Sequence, residues 1–94
     1  MADYKIAHIR QQGQDMIIVP LDPAFGTKPP SIQQDIIEQL QICAQSAGLA
    51  GTVVPIWRNG NGFRFIAPSP WKAFFQSLHW NDIMRNVNKT LTCH

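Results

Sequence analysis

Val53-Val-Pro-Ile-Trp-Arg-Asn-Gly-Asn-Gly-Phe-Arg-Phe-Ile-Ala67 places two overlapping Asn-Gly steps between short apolar runs rich in β-branched and aromatic residues. Asn and Gly tolerate the positive φ that a tight turn needs, so the stretch predicts a β-hairpin. The turn centres on Asn59-Gly60, Gly60-Asn61 or Asn61-Gly62. Any of these two-residue loops puts Val54, Ile56 and Arg58 on one face with Phe63, Phe65 and Ala67. The other face then carries Val53, Pro55 and Trp57 with Arg64 and Ile66. A three-residue loop with a bulge would swap that parity. Both faces are apolar, and neither reads as a plain solvent face.

Toward the N-terminus, Tyr4 to Pro20 predicts a second hairpin. Ile6 to Ile9 leads to Gln11-Gln12-Gly13-Gln14, and Met16 to Val19 returns. A loop on Gln12-Gly13 sets Arg10 opposite Asp15 and His8 opposite Ile17, an ion pair that would favour the register by about 0.2–1 kcal/mol. The unbroken apolar run Met16–Val19 implies a strand buried on both faces. Leu21 to Pro30 holds three prolines and a glycine, which implies a surface loop with Phe25 tucked back into the core. Ser31 to Ala47 predicts a helix with Ser31 as cap and Gln34 completing a capping-box spacing. Its apolar stripe is Ile32, Ile36, Leu40, Cys43 and Ala47, widened by Ile37 and Ala44. Gln33, Gln34, Gln41 and Gln45 take the rest, and Gly48 stands where a left-handed cap is expected.

Toward the C-terminus, Ser69 caps and Pro70 opens another helix. Trp71, Phe74, Phe75 and Leu78 form its apolar face. Beyond Asn81, the residues Ile83, Met84, Val87 and Leu91 form a second face. At about 100° per residue the two faces oppose each other, so one straight helix from Pro70 to Leu91 cannot bury both on one sheet. Either the helix breaks around His79-Trp80-Asn81, with Asn81 capping a new one, or the second half packs on another subunit. At an offset of 48 residues Arg10 falls on Arg58, Ile17 on Phe65, Ile18 on Ile66 and Pro20 on Pro68. This faint repeat agrees with an α+β fold of order ββαββα: one domain over 1–94, an antiparallel sheet from two hairpins, and helices packed on one face.

Composition narrows the function classes. The 94 residues are 45% apolar with a formal charge of +2, enough for one core and too little charge to name a partner. The charge is uneven. Residues 49–94 carry Arg58, Arg64, Lys72, Arg85 and Lys89 against Asp82 alone, while 1–48 carry Lys5, Arg10 and Lys28 against five acidic residues. Such asymmetry favours an anionic partner or another copy of the chain. No targeting or membrane segment is visible, and two cysteines are too few for a disulfide framework, which predicts a cytoplasmic protein. Asn88-Lys89-Thr90 is then a chance glycosylation sequon.

No catalytic, metal or cofactor motif stands out. Cys43 reads as a small core residue, Cys93 and His94 as a fraying terminus, and the histidines lack ligand spacing. The expected function is a non-catalytic interaction module that self-associates as a dimer and binds another macromolecule. Trp57, Ile66, Ile83, Met84, Val87 and Leu91 are its candidate interface. The alternative is a nucleic-acid-binding module using Arg58, Arg64, Lys72, Arg85 and Lys89 with interleaved aromatics. A third reading is a small enzyme built on Cys43 or His8.

Overall fold

The computed structural model describes residues 2–11 and 13–93. The strands are β1 (Ala2–Gln11), β2 (Gln14–Leu21), β3 (Thr52–Asn59), β4 (Gly62–Phe65) and β5 (Lys89–Cys93). The helices are α1 (Pro30–Ser46), α2 (Lys72–Gln76) and α3 (Trp80–Arg85). The fold is α+β, and its five strands form one mixed sheet in the order β4-β3-β2-β1-β5.

Both hairpins form, the first in the expected register and the second in one of the three that the sequence allows. Arg10 pairs with Asp15 and His8 with Ile17; Gln12, half of the expected first turn, lies outside the described residues, as does His94. Asn59 pairs with Gly62, so the second loop is Gly60-Asn61, with Gly60 at φ 62°. The hairpins do not join edge to edge in antiparallel fashion. Instead β2 and β3 run parallel at the centre of the sheet, with Ile17 beside Val53 and Val19 beside Pro55. A strand-helix-strand connection through α1 returns the chain to the same end of the sheet, which makes the neighbours parallel.

Two prolines mark where ladders end. The Ile66 N–H donates to the Pro55 carbonyl at 3.1 Å, which continues the β3–β4 ladder one step past β4. Pro55 has no N–H to return, and the regular pairing stops there. Pro20 occupies the same kind of position beyond Ala7–Ile18, the last β1–β2 pair.

Helices cover both faces of the sheet, not one. On the first face Ile6, Ile17, Val19, Val53 and Leu91 pack with Leu40 and Ala44 of α1. On the second, Ala7, Met16, Ile18, Val54 and Ile56 pack with Phe75 of α2 and Ile83 of α3. α1 begins at Pro30 without a side-chain cap, so Ser31 is not its cap. Its C-terminus is as expected: Gly48 at φ 78° follows, and the Leu49 N–H reaches the Ala44 carbonyl at 2.9 Å.

The C-terminal third differs most from expectation. The helix breaks after α2, and α3 starts from His79, whose N–H donates to the Asp82 carboxylate at 3.1 Å. Asn81 lies inside α3 and does not cap it. Helix ends at Arg85, and residues 89–93 return as strand β5, antiparallel to β1. Asn88 makes that switch possible. Its carboxamide accepts from the His8 N–H and donates to the His8 carbonyl, both at 3.0 Å, imitating one more strand residue beside β1.

Cys43 of α1 and Cys93 of β5 form a disulfide. Cys43 does lie against the first-face core, but as half of a crosslink, and the chain end at Cys93 is tied to α1 where fraying was expected.

Candidate functional site

An open groove of about 550 Å³ lies where the β3–β4 hairpin meets the turn between α2 and α3. The register of the hairpin places Arg58 and Phe63 side by side on the second face, with Phe65 two residues on. Opposite them stand Gln76, Leu78, His79, Trp80 and Asn81, with Asn61 at the hairpin tip. The Arg58 guanidinium sits 5.4 Å above the Trp80 ring. Such a contact contributes about 0.5–1 kcal/mol at an exposed site and orients the guanidinium with donors free for a ligand. Phe63 and Trp80 have ring centroids 6.2 Å apart, and Phe65 packs on the buried Phe75 at 5.2 Å. Among the described residues Arg58 is the only formally charged one that lines the groove, and none of the lining residues is a carboxylate.

β4 is also the edge of the sheet. Because the Ile66 N–H points toward β3, alternation along the strand points the N–H and C=O groups of Phe63 and Phe65 outward. The groove therefore has an aromatic wall, one cation and an open strand edge along its rim.

The five basic residues do not gather. Arg58 is on the second face and lines the groove. Arg64 pairs with Trp57 on the first face of β4, whereas Lys89 pairs with Ile6 on β5 at the opposite edge. Four strand spacings separate those edges, about 19 Å. Lys72 and Arg85 are exposed on α2 and α3.

The expected interface residues disperse as well. Trp57 is only 8% exposed, because Phe25, in a 3₁₀ turn over Pro23–Thr27, packs on its indole at a centroid distance of 5.0 Å. Ile83 and Leu91 are buried on opposite faces of the sheet within the same chain. Met84 and Val87 are half-buried, and Ile66 alone, at 37% exposure, stays open. No apolar stripe from Ile83 to Leu91 reaches the surface, since no helix spans those residues.

Among the described residues no three His, Cys, Asp or Glu side chains converge as a metal site requires. His8 directs Nε2 at the Ala50 carbonyl, 2.9 Å away, and so fastens the loop before β3. Trp80 and His79, read from sequence only as a helix break, are the wall residues that sequence reasoning missed. The break itself was the available signal, because a chain reversal beside a hairpin tip makes a concave surface. No family model, curated protein or solved structure matches the chain.

Proposed function

We propose that the protein is a non-catalytic interaction module that recognises another macromolecule through the groove between β4 and the α2–α3 turn. The observation that carries this reading is Arg58 held over Trp80 beside half-buried Phe63, with no carboxylate among the lining residues. A rigid aromatic anchor beside an arginine is the pairing from which binding hot spots are commonly built. Self-association loses the stripe that motivated it, because Ile83 and Leu91 are spent on the chain's own core. Nucleic-acid binding is the weaker reading, since a phosphate backbone needs a continuous basic track and four of the five bases lie away from the groove.

No helix among the described residues is long and apolar enough to cross a membrane. The cytoplasmic location expected from the sequence fits less well with a Cys43–Cys93 disulfide, which favours an oxidising compartment.

Affinity capture with the parent protein and with Arg58→Ala/Trp80→Ala tests the proposal. Arg58 is exposed, while Trp80 is half-buried against the second-face core, so Arg58→Ala alone is run beside the double variant. Both should lose retention of the parent's partner, and the double variant is read only where its folded spectrum matches the parent's. A partner held equally by the parent and the variants would overturn the assignment of the groove.

A further inference from the structure

The inference deepens that reading and rests on it: we infer that the groove's partner is an extended acidic peptide segment that adds to β4 as a new outer strand. Strand addition takes its affinity from main-chain hydrogen bonds and its specificity from pockets for alternate side chains, and β4 offers both. The outward N–H and C=O groups of Phe63 and Phe65 provide two ladder positions at the sheet edge.

A residue added opposite Phe63 or Phe65 shares the second face with them and so leans over the groove. Opposite Phe63 the added strand is two spacings from Arg58, about 10 Å, which a glutamate and an arginine span together. Two positions along, opposite Phe65, the wall is aromatic, and an apolar side chain fits. The lining contributes Arg58 without any carboxylate, so an anionic segment meets no repulsion there. The other edge, β5, presents Lys89 on its first face and is crosslinked through Cys93 to α1. A nucleic-acid strand would find one phosphate contact in the groove and no continuation.

The test is a blocked threonine heptapeptide carrying one glutamate and one leucine two positions apart, synthesised in both orders and titrated into the isotope-labelled full chain. The expected result is a shift of the groove resonances, with slowed hydrogen exchange at the Phe63 and Phe65 amides. Arg58→Ala should weaken binding about tenfold, the worth of one charge-assisted hydrogen bond. Methylating alternate peptide nitrogens on the ladder side should abolish binding, and undiminished binding by that peptide overturns strand addition. If oligothymidylate moves the groove resonances and neither peptide does, the partner class is wrong while the groove assignment stands. If neither ligand moves them although capture depends on Arg58 and Trp80, the peptide inference alone falls. If capture is also indifferent to those residues, both proposals fall together.

Discussion

Gly26 shows how one missing side chain decides the fate of a tryptophan. A Cβ at that position would overlap the Trp57 indole, so the 3₁₀ turn can close over the ring only with glycine there. Asp22 caps that turn by accepting the Ala24 N–H at 2.9 Å, and Gln33 donates to the Phe25 carbonyl at the same distance. Gly26→Ala should therefore push the turn off Trp57 and destabilise the chain by about 1–3 kcal/mol, the usual range for overpacking. Denaturant unfolding followed by tryptophan fluorescence measures it, and an unchanged midpoint would mean the turn yields freely. Asn88 is similarly committed. Its Nδ2, the atom a glycan would occupy, donates to the His8 carbonyl. The sequon is thus engaged in the fold, a stronger reason against glycosylation than the compartment argument made from sequence. Gln41 plays a matching part at the start of β3, donating to the Gly51 carbonyl at 3.0 Å and accepting the Val53 N–H at 2.9 Å.

β5 has little support from its own residues. It has five residues at a sheet edge, and only Leu91 among them is buried. The disulfide fastens it to α1 across a separation of 50 residues. Closing a loop of that length removes unfolded-chain entropy worth about 4 kcal/mol in the simple model, with measured values commonly about 2–4 kcal/mol. Cys43→Ala with Cys93→Ala should lower stability by about 2–4 kcal/mol and speed hydrogen exchange in β5 before β2 or β3. Two reactive thiols in the folded parent protein would contradict the crosslink. α2 and α3 are each too short to persist alone and are held by Phe75 and Ile83 against the second face.

At the scale of the molecule, burial on both faces removes the reason for a dimer. Among the described residues the large apolar side chains left exposed are Ile32 and Ile42 on α1 and Ile66 beyond β4, and exposed apolar residues this few need no partner. Sedimentation equilibrium at micromolar concentration should return a monomer. A stable dimer that Ile66→Asp dissociates would restore self-association through the first face of the β4 edge. The mixed sheet also explains the faint repeat. Each half begins with an antiparallel hairpin followed by a helix, but only the first half carries a helix long enough to cover a whole face. The second half divides its helix and spends the remaining chain on an edge strand.

Local chemistry alone determined the two hairpins, the register of the first and the alternation of their faces, whereas the tertiary structure chose among three loops for the second. Asn and Gly supply the positive φ that tight turns need, and a slip by one residue would invert every buried side chain. The C-terminus of α1 was legible for the same reason, in Gly48. The parallel pairing of β2 with β3 left a trace in the unbroken runs Met16–Val19 and Val53–Trp57, since strands buried on both faces belong at a sheet's centre. The fate of residues 86–93 left none. Ile83, Met84, Val87 and Leu91 satisfy a helical period, and only the unfilled edge of β1, the Asn88 mimic and the reach of Cys93 to Cys43 turn the last of them into a strand. The groove belongs to that second category. Arg58 and Trp80 are 22 residues apart, and nothing short of the packed α2–α3 turn brings one over the other.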